Sequence, residues 1–302
     1  MSNQSQDPSV RLSVGLAVYN GEEYLHEAMD SLLAQTYRDF ELIICDNASS
    51  DRTEQICREY EGRDSRVRYH RHDQNYGAAW NVNRVFELSV GEYFRWAAHD
   101  DICAPTLVER CVEVLDSTPS AVLCYTDAVI IDENGQRVRD YVDLCETRSS
   151  HAHKRFEVVL RNFGLSNPLY GVIRADALRE TRLLGGYLGA DGVLLAELAL
   201  KGEIVKIPDQ LFYRRDHPKK AARPSASNKD AIASWSGVEK QAGVGYFNSR
   251  LLKGYAACLW HTPLPFWTRL RAYMCLGRWL RWKRNEIAAE FGHYLRQLLR
   301  FR

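Results

Sequence analysis

The first half of the chain repeats one pattern, a short apolar run followed by a stretch with helical spacing. Leu12–Val18, Phe40–Asp46, Val67–His70 and the run beginning at Tyr93 read as strands. Between them, Glu22 to Gln35, Asp51 to about Glu61 and Ala78 to Ser89 read as helices. In the first of these, Leu25, Ala28, Met29, Leu32 and Leu33 form one apolar stripe. Strand–helix alternation of this kind predicts an α/β fold, with a mainly parallel sheet covered by helices on both faces. Pro105 to Leu115 continues it as a helix and Ala121 to Tyr125 as a strand, and Asp132-Glu133-Asn134-Gly135 marks a hairpin. Beyond Asp140 the pattern loosens. Helices are expected near Arg155–Phe163, Asp176–Thr181 and Asp191–Lys201, with strands at Gly171–Arg174, Ile204–Ile207 and Leu211–Arg214. Pro218 to Asp230 reads as a linker, and the remainder reads as helical.

Polar chemistry gathers at the ends of the strands. The first strand runs into Tyr19-Asn20-Gly21, the second into Asp46-Asn47-Ala48-Ser49-Ser50-Asp51, and the fourth into His99-Asp100-Asp101. Parallel neighbours would set all three along one rim, where open α/β sheets bind ligands. Adjacent carboxylates repel unless a cation or donors neutralise them. Mg²⁺ or Mn²⁺ bridging to phosphate oxygens suits that need. The competing reading makes Asp100 the cap of the helix near Pro105. No G-x-G-x-x-G or G-x-x-x-x-G-K-[ST] follows the first strand, which argues against dinucleotide and P-loop sites.

Composition narrows the classes further. Of 40 Lys/Arg and 39 Asp/Glu, ten and two lie between Leu251 and Arg302, leaving thirty and thirty-seven before them. An acidic body thus carries a basic tail, and no nucleic-acid recognition motif accompanies it. None of the eight cysteines forms a C-x-x-C pair, and reduced thiols in the cytoplasm are expected. Residues 1–10 are expected to be disordered, with no apolar leader. No uncharged apolar run reaches the roughly 18 residues of a spanning helix.

The ordered series V-Y-N-G-E-E-Y-L, S-L-L-A-Q-T-Y-R-D-F-E-L-I-I-C-D-N-A-S-S-D-R-T, N-Y-G and H-D-D-I-C-A-P resembles the large inverting glycosyltransferase family two, which has the GT-A fold. The resemblance covers about Leu12 to His217. It implies a catalytic domain over 11–220, with a nucleotide-binding half (11–127) and an acceptor half (128–220), followed by a helical extension over 221–302. It also implies a nucleoside-diphosphate sugar donor (UDP- or dTDP-sugar), a glycan or lipid-linked acceptor, and Mg²⁺ or Mn²⁺.

Residue by residue, the resemblance gives Val18, Tyr19 and Glu22 to base and ribose contacts and Asp46 to the base. Asn75 and Gly77 belong to a segment lying over the nucleotide. Asp100 would contact the ribose, and Asp101 would bind the metal with His217 nearby. Asp191 would be the base that deprotonates the acceptor hydroxyl. Departures from the family pattern are Ala98 and Ala190, each where an acidic residue is usual, and Asn81-Val82-Asn83 in place of Ala-Arg-Asn. Each assignment has a plainer counterpart. Tyr19 can be a packing aromatic, Asp46 a turn residue, Asp191 a helix cap and Tyr170 either a sugar platform or a packing ring. A non-catalytic sugar-nucleotide-binding protein on the same fold is the rival function.

In the tail, Trp260, Trp267, Trp279 and Trp282 lie among arginines. Leu270, Tyr273, Gly277 and Leu280 share one helical face. Two outcomes are open: peripheral contact with the inner face of a membrane, or packing on the catalytic domain or on another subunit of a homo-oligomer.

Overall fold

The computed structural model describes residues 10–218 and 247–300. Residues 1–9 and nearly all of the expected linker lie outside the described residues. The elements are β1 (Leu12–Val18), α1 (Leu25–Leu33), β2 (Phe40–Asp46), α2 (Thr53–Arg63), β3 (Val67–Arg71), α3 (Ala78–Glu87), β4 (Tyr93–Ala97), β5 (Ile102–Cys103) and α4 (Leu107–Ser117). There follow β6 (Ala121–Ile131), β7 (Arg137–Tyr141), α5 (Ala152–Asn162), β8 (Val172–Arg174), α6 (Ala175–Arg179), α7 (Ala190–Lys201) and β9 (Glu203–Arg215). Three tail helices close the chain: α8 (Phe247–His261), α9 (Phe266–Trp282) and α10 (Arg284–Arg300).

The strands form one sheet in the order β3-β2-β1-β4-β8-β6-β9-β5, with β7 added to β6. The first four are parallel, as the alternation predicts. Their carboxyl ends therefore share one rim. Side chains alternate between two cores: Leu42 and Ile44 enter one, Ile43 and Cys45 the other. Burial on both faces explains why β1 and β2 read as largely apolar runs, and where Ser13 and Glu41 interrupt them the Ser13 hydroxyl donates to Glu41 Oε1 at 2.6 Å. Gly15 lets α3 lie close, since a Cβ there would meet Val85 Cγ2 at 2.7 Å and Phe94 Cζ at 2.8 Å.

Two expectations change. The strands expected at Ile204–Ile207 and Leu211–Arg214 are one strand, β9. Pro208 lies between Ile207 and Gln210, where the register of β9 on β6 shifts, and β5 pairs β9 only at Phe212 and Tyr213, so no ladder needs its missing N–H. The boundary expected at 127/128 falls inside β6, which also runs past the expected Tyr125 end. Eight free cysteines are all buried, as the apolar context of several predicts.

Helix α7 is buried nearly all round, from Gly192 to Leu200. Such a helix needs partners on every side. One of them is α8: a Cβ on Gly254 would meet Val193 Cγ2 at 2.6 Å, and Cys258 Sγ donates to the Val193 carbonyl at 3.5 Å. Helix α9 turns Ala272, Cys275, Leu276 and Trp279 inward, with Trp279 against Tyr255 at 5.5 Å. The tail thus packs on the catalytic domain through α8 and one face of α9.

Candidate active site

The rim is built from two loops tied to each other. Asn20 N–H donates to Ser49 Oγ at 2.9 Å, and Ser50 N–H returns to Asn20 Oδ1 at 2.9 Å. Gly21 N–H reaches Thr53 Oγ1 at 2.9 Å. Glu22 Oε2 accepts from the N–H and the Nε of Arg52, at the start of α2. Glu22 is therefore an anchor of this junction. Asn20 and Ala48 both hold positive φ, at 51° and 62°. Backbone of that kind persists only where its surroundings hold it.

Several residues expected at the nucleotide hold the rim itself. Val18 is buried, and its carbonyl accepts from Asn47 N–H at 2.9 Å. Asp46 is 0 % exposed. Its Oδ1 accepts from Ser49 N–H, and its Oδ2 accepts from the Tyr69 hydroxyl and Arg71 Nη1, each at 2.8 Å. A buried carboxylate needs such partners, so Asp46 is here a scaffold charge rather than an open base-reading group. Burial and the neighbouring Asp46 push the Tyr69 hydroxyl pKa upward.

Asn75 Oδ1 accepts from Gly77 N–H and from Asn47 Nδ2, which fixes the turn before α3. Gly77, at φ 89°, precedes the helix in a conformation suited to glycine. Asn81, where the family pattern has another residue, is buried and donates to the Cys45 carbonyl at 2.8 Å. Tyr19 is 45 % exposed, so the packing alternative does not describe it.

The paired aspartates are not equivalent. His217 Nε2 lies 3.1 Å from Asp100 Oδ2. Asp101 Oδ1 accepts the Arg215 backbone N–H at 2.9 Å and so ties the end of β9 to the rim. His217, expected near the metal beside Asp101, makes its side-chain contact with Asp100. The capping alternative for Asp100 also falls, because α4 starts at Leu107 without a side-chain cap. Arg215 is committed to the fold. Its Nε donates to the Asp100 carbonyl and its Nη1 to the Asp132 and Glu133 carbonyls, while Nη2 pairs with Glu27. Tyr24 stacks beneath both, 4.6 Å from the guanidinium and 4.8 Å from the His217 ring.

Asp191 occupies the first turn of α7, after Gly189 at φ 86°. Its Oδ2 accepts from Ser166 Oγ, and its Oδ1 from Gly192 N–H at 3.0 Å. Burial raises its pKa, and the Ser166 hydroxyl and nearby Arg214 oppose the rise. Arg214 Nη1 also donates to Asn167 Oδ1 at 2.7 Å, which holds the loop before β8. Tyr170 stacks on Phe212 at 5.3 Å, a packing role. Burial raises its hydroxyl pKa, with Arg214 opposing and the charges of Asp101, Asp100 and Asp191 adding to the rise. Ser166 was missed by sequence reading. It sits in an irregular loop, and nothing local marks it.

Among the described residues no three His, Cys, Asp or Glu side chains are grouped to hold a metal. Asp100 and His217 supply two donors. Nδ1 of His217 is buried with no hydrogen-bond partner among the described residues. One carboxylate and one imidazole, completed by diphosphate oxygens, suit a divalent ion that binds partly through its substrate.

Residues 13–174 match the sequence profile of glycosyl transferase family 2. The chain belongs to that family. It is 35 % identical over 131 residues to an uncharacterized glycosyltransferase of Rickettsia felis, and 30 % over 132 residues to one of Methanocaldococcus jannaschii. Those matches cover 42 % and 43 % of this chain, but only 21 % and 46 % of the relatives. The chain therefore spans less than half the length of each. In fold it is similar to residues 1–349 of S. aureus TarS, solved with UDP-GlcNAc: TM-score 0.58, 15 % identity, covering 91 % of this chain and 92 % of that one. It is also similar to a Pyrobaculum calidifontis mannosyltransferase solved with GDP-Man and Mn²⁺: TM-score 0.54, 16 % identity, covering 95 % and 87 %. The architecture is the GT-A type.

Proposed function

We propose that this chain transfers a sugar, with inversion, from a UDP- or dTDP-sugar to a glycan or lipid-linked acceptor, in the assembly of a cell-surface polysaccharide or glycoconjugate. The observation that carries the reading is the Asp100–His217 pair at the rim together with Asp191, which Ser166 holds at the start of α7. Asp100 and His217 would hold Mg²⁺ or Mn²⁺. Such an ion neutralises charge on the diphosphate as it leaves. The exposed ring of Tyr19 offers the donor a surface at the mouth of the rim.

Asp191, ionised, accepts the proton of the acceptor hydroxyl. The new acceptor O–C1 bond forms as the C1–O bond to phosphate breaks, and the nucleoside diphosphate leaves with that electron pair. Attack opposite the leaving group inverts the anomeric centre. A raised pKa makes Asp191 a stronger base than an exposed aspartate. That desolvation supports an enzyme over the rival of a non-catalytic donor-binding protein, which rests on Ala98 and Ala190.

The test is thermal shift with UDP-, dTDP- and GDP-sugars, with and without Mn²⁺, followed by transfer assays. Bound donor stabilises by mass action. Asp100→Asn and His217→Ala should each lose the Mn²⁺-dependent part of the donor shift. Asp101→Asn should keep that part. A variant of Asp100 that keeps the full Mn²⁺ response would overturn the metal assignment.

A further inference from the structure

Helix α9 has two apolar faces, and only one of them is packed. Ala272, Cys275, Leu276 and Trp279 face the core. Opposite them, Phe266, Trp267, Leu270, Tyr273, Met274 and Leu280 are exposed, Phe266 at 71 %, Trp267 at 69 % and Met274 at 58 %. At 100° per residue these six fall on one arc of the helix. Singly exposed apolar side chains are ordinary on protein surfaces, but a contiguous set of this size marks an interaction face.

The charge around that face identifies the partner. Between Phe266 and Trp282 the helix carries Arg269, Arg271, Arg278 and Arg281 and no acidic residue. Arg271 and Arg281 are exposed. A second copy of the chain packed on this face would bring an equally basic helix without acidic residues against it, which is repulsive. An anionic lipid surface attracts them. Trp, Tyr and Phe suit the boundary between headgroups and acyl chains. Among the described residues no helix is long and apolar enough to cross a membrane, so this helix would lie in the surface rather than span it.

We propose that the outer face of α9 docks the enzyme on anionic membrane, with Trp267, Leu270 and Met274 buried at the headgroup boundary and Arg271 and Arg281 on lipid phosphates. The inference stands on the tail alone and does not depend on the assignment of donor or base.

Vesicle flotation of the full chain tests it, with phosphatidylcholine alone against phosphatidylcholine containing about one-third phosphatidylglycerol. The chain should float with the anionic vesicles and stay behind with the neutral ones. Removing both Arg271 and Arg281 should weaken binding by about fivefold each at low salt, from the usual strength of one basic residue at an anionic surface. Trp267→Glu with Met274→Glu should abolish flotation, whereas Trp267→Phe should retain it. All of these positions are on the outer surface, so the melting temperature without any ligand should stay at the wild-type value in every variant and report a folded protein. Flotation of the double glutamate variant equal to wild type would overturn the proposal. So would failure of the wild type to bind anionic vesicles, or a dimer in sedimentation that the same double substitution dissociates.

Discussion

Substituting Ser166 by alanine isolates the tuning of the proposed base. In the folded protein Ser166 Oγ donates to Asp191 Oδ2, and this bond lowers a pKa that burial raises. Alanine keeps the Cβ and fits the same backbone, so the loop at φ 62° gains no new steric demand. The loss is one hydrogen bond to a charged acceptor, about 1.5–3 kcal/mol. All of it acts on the ionised form, because only the carboxylate needs the donor. The sign follows directly. Without the hydroxyl, Asp191 holds its proton to higher pH, and a base works only when deprotonated. The acid limb of kcat/KM should move upward. At a fixed pH on that limb, the rate should fall roughly ten- to a hundredfold, which is that energy converted at about 1.4 kcal/mol per decade. On the alkaline plateau the variant and the wild type should converge. The assay is a pH profile of transfer under subsaturating acceptor. Equal loss at every pH would mean that Ser166 places the acceptor or the loop instead, and an unmoved limb would mean that Asp191 is not the titrating base.

Two further substitutions probe stability. Asp191→Asn should stop transfer yet raise the melting temperature at pH 8. The raised pKa means that the fold favours the protonated carboxyl, so stability is lost as pH rises through it, and the neutral amide escapes that loss. The gain should shrink toward pH 4, where the wild-type carboxyl is also protonated, and a calorimetric series across pH checks both ends. Arg95→Met should leave the melting temperature level or raise it by about 2–4 °C, the shift expected for about 1 kcal/mol. Arg95 is 0 % exposed in the middle of β4, donates only to Cys103 Sγ at 2.9 Å, and leaves Nε and Nη1 without partners among the described residues. Unpartnered buried polar groups usually cost more than an apolar side chain of similar length. A fall of several degrees would show a function for that guanidinium that its neighbours do not reveal.

The parallel part of the fold was legible because doubly covered strands must be largely apolar, and β1, β2 and β4 are, apart from Ser13, Glu41, Asp46 and Arg95, which are themselves buried. The continuity of β9 was not legible, because Pro208 sits at a register shift against β6 that only the strand pairing discloses. At the site, the order of motifs pointed to Asp100, Asp101, Asp191 and His217. Their partners could not be read, because hydrogen bonding across 117 residues, as between Asp100 and His217, leaves no local spacing. At Asp46 and Glu22 the motif was legible but not the ion pairs with Arg71 and Arg52 that hold each of them in the loop junction.

Strand β6 runs unbroken from Ala121 to Ile131, pairing with β8 toward its start and with β9 along its length. The parallel strands β1 to β4 and the strands β8, β6 and β9 are therefore one plate, without a seam at which one part can swing against the other. Closure over a ligand in such a molecule is a matter for loops at the rim, and a larger ligand requires new side chains on those loops, whereas a hinged protein can meet it simply by opening wider.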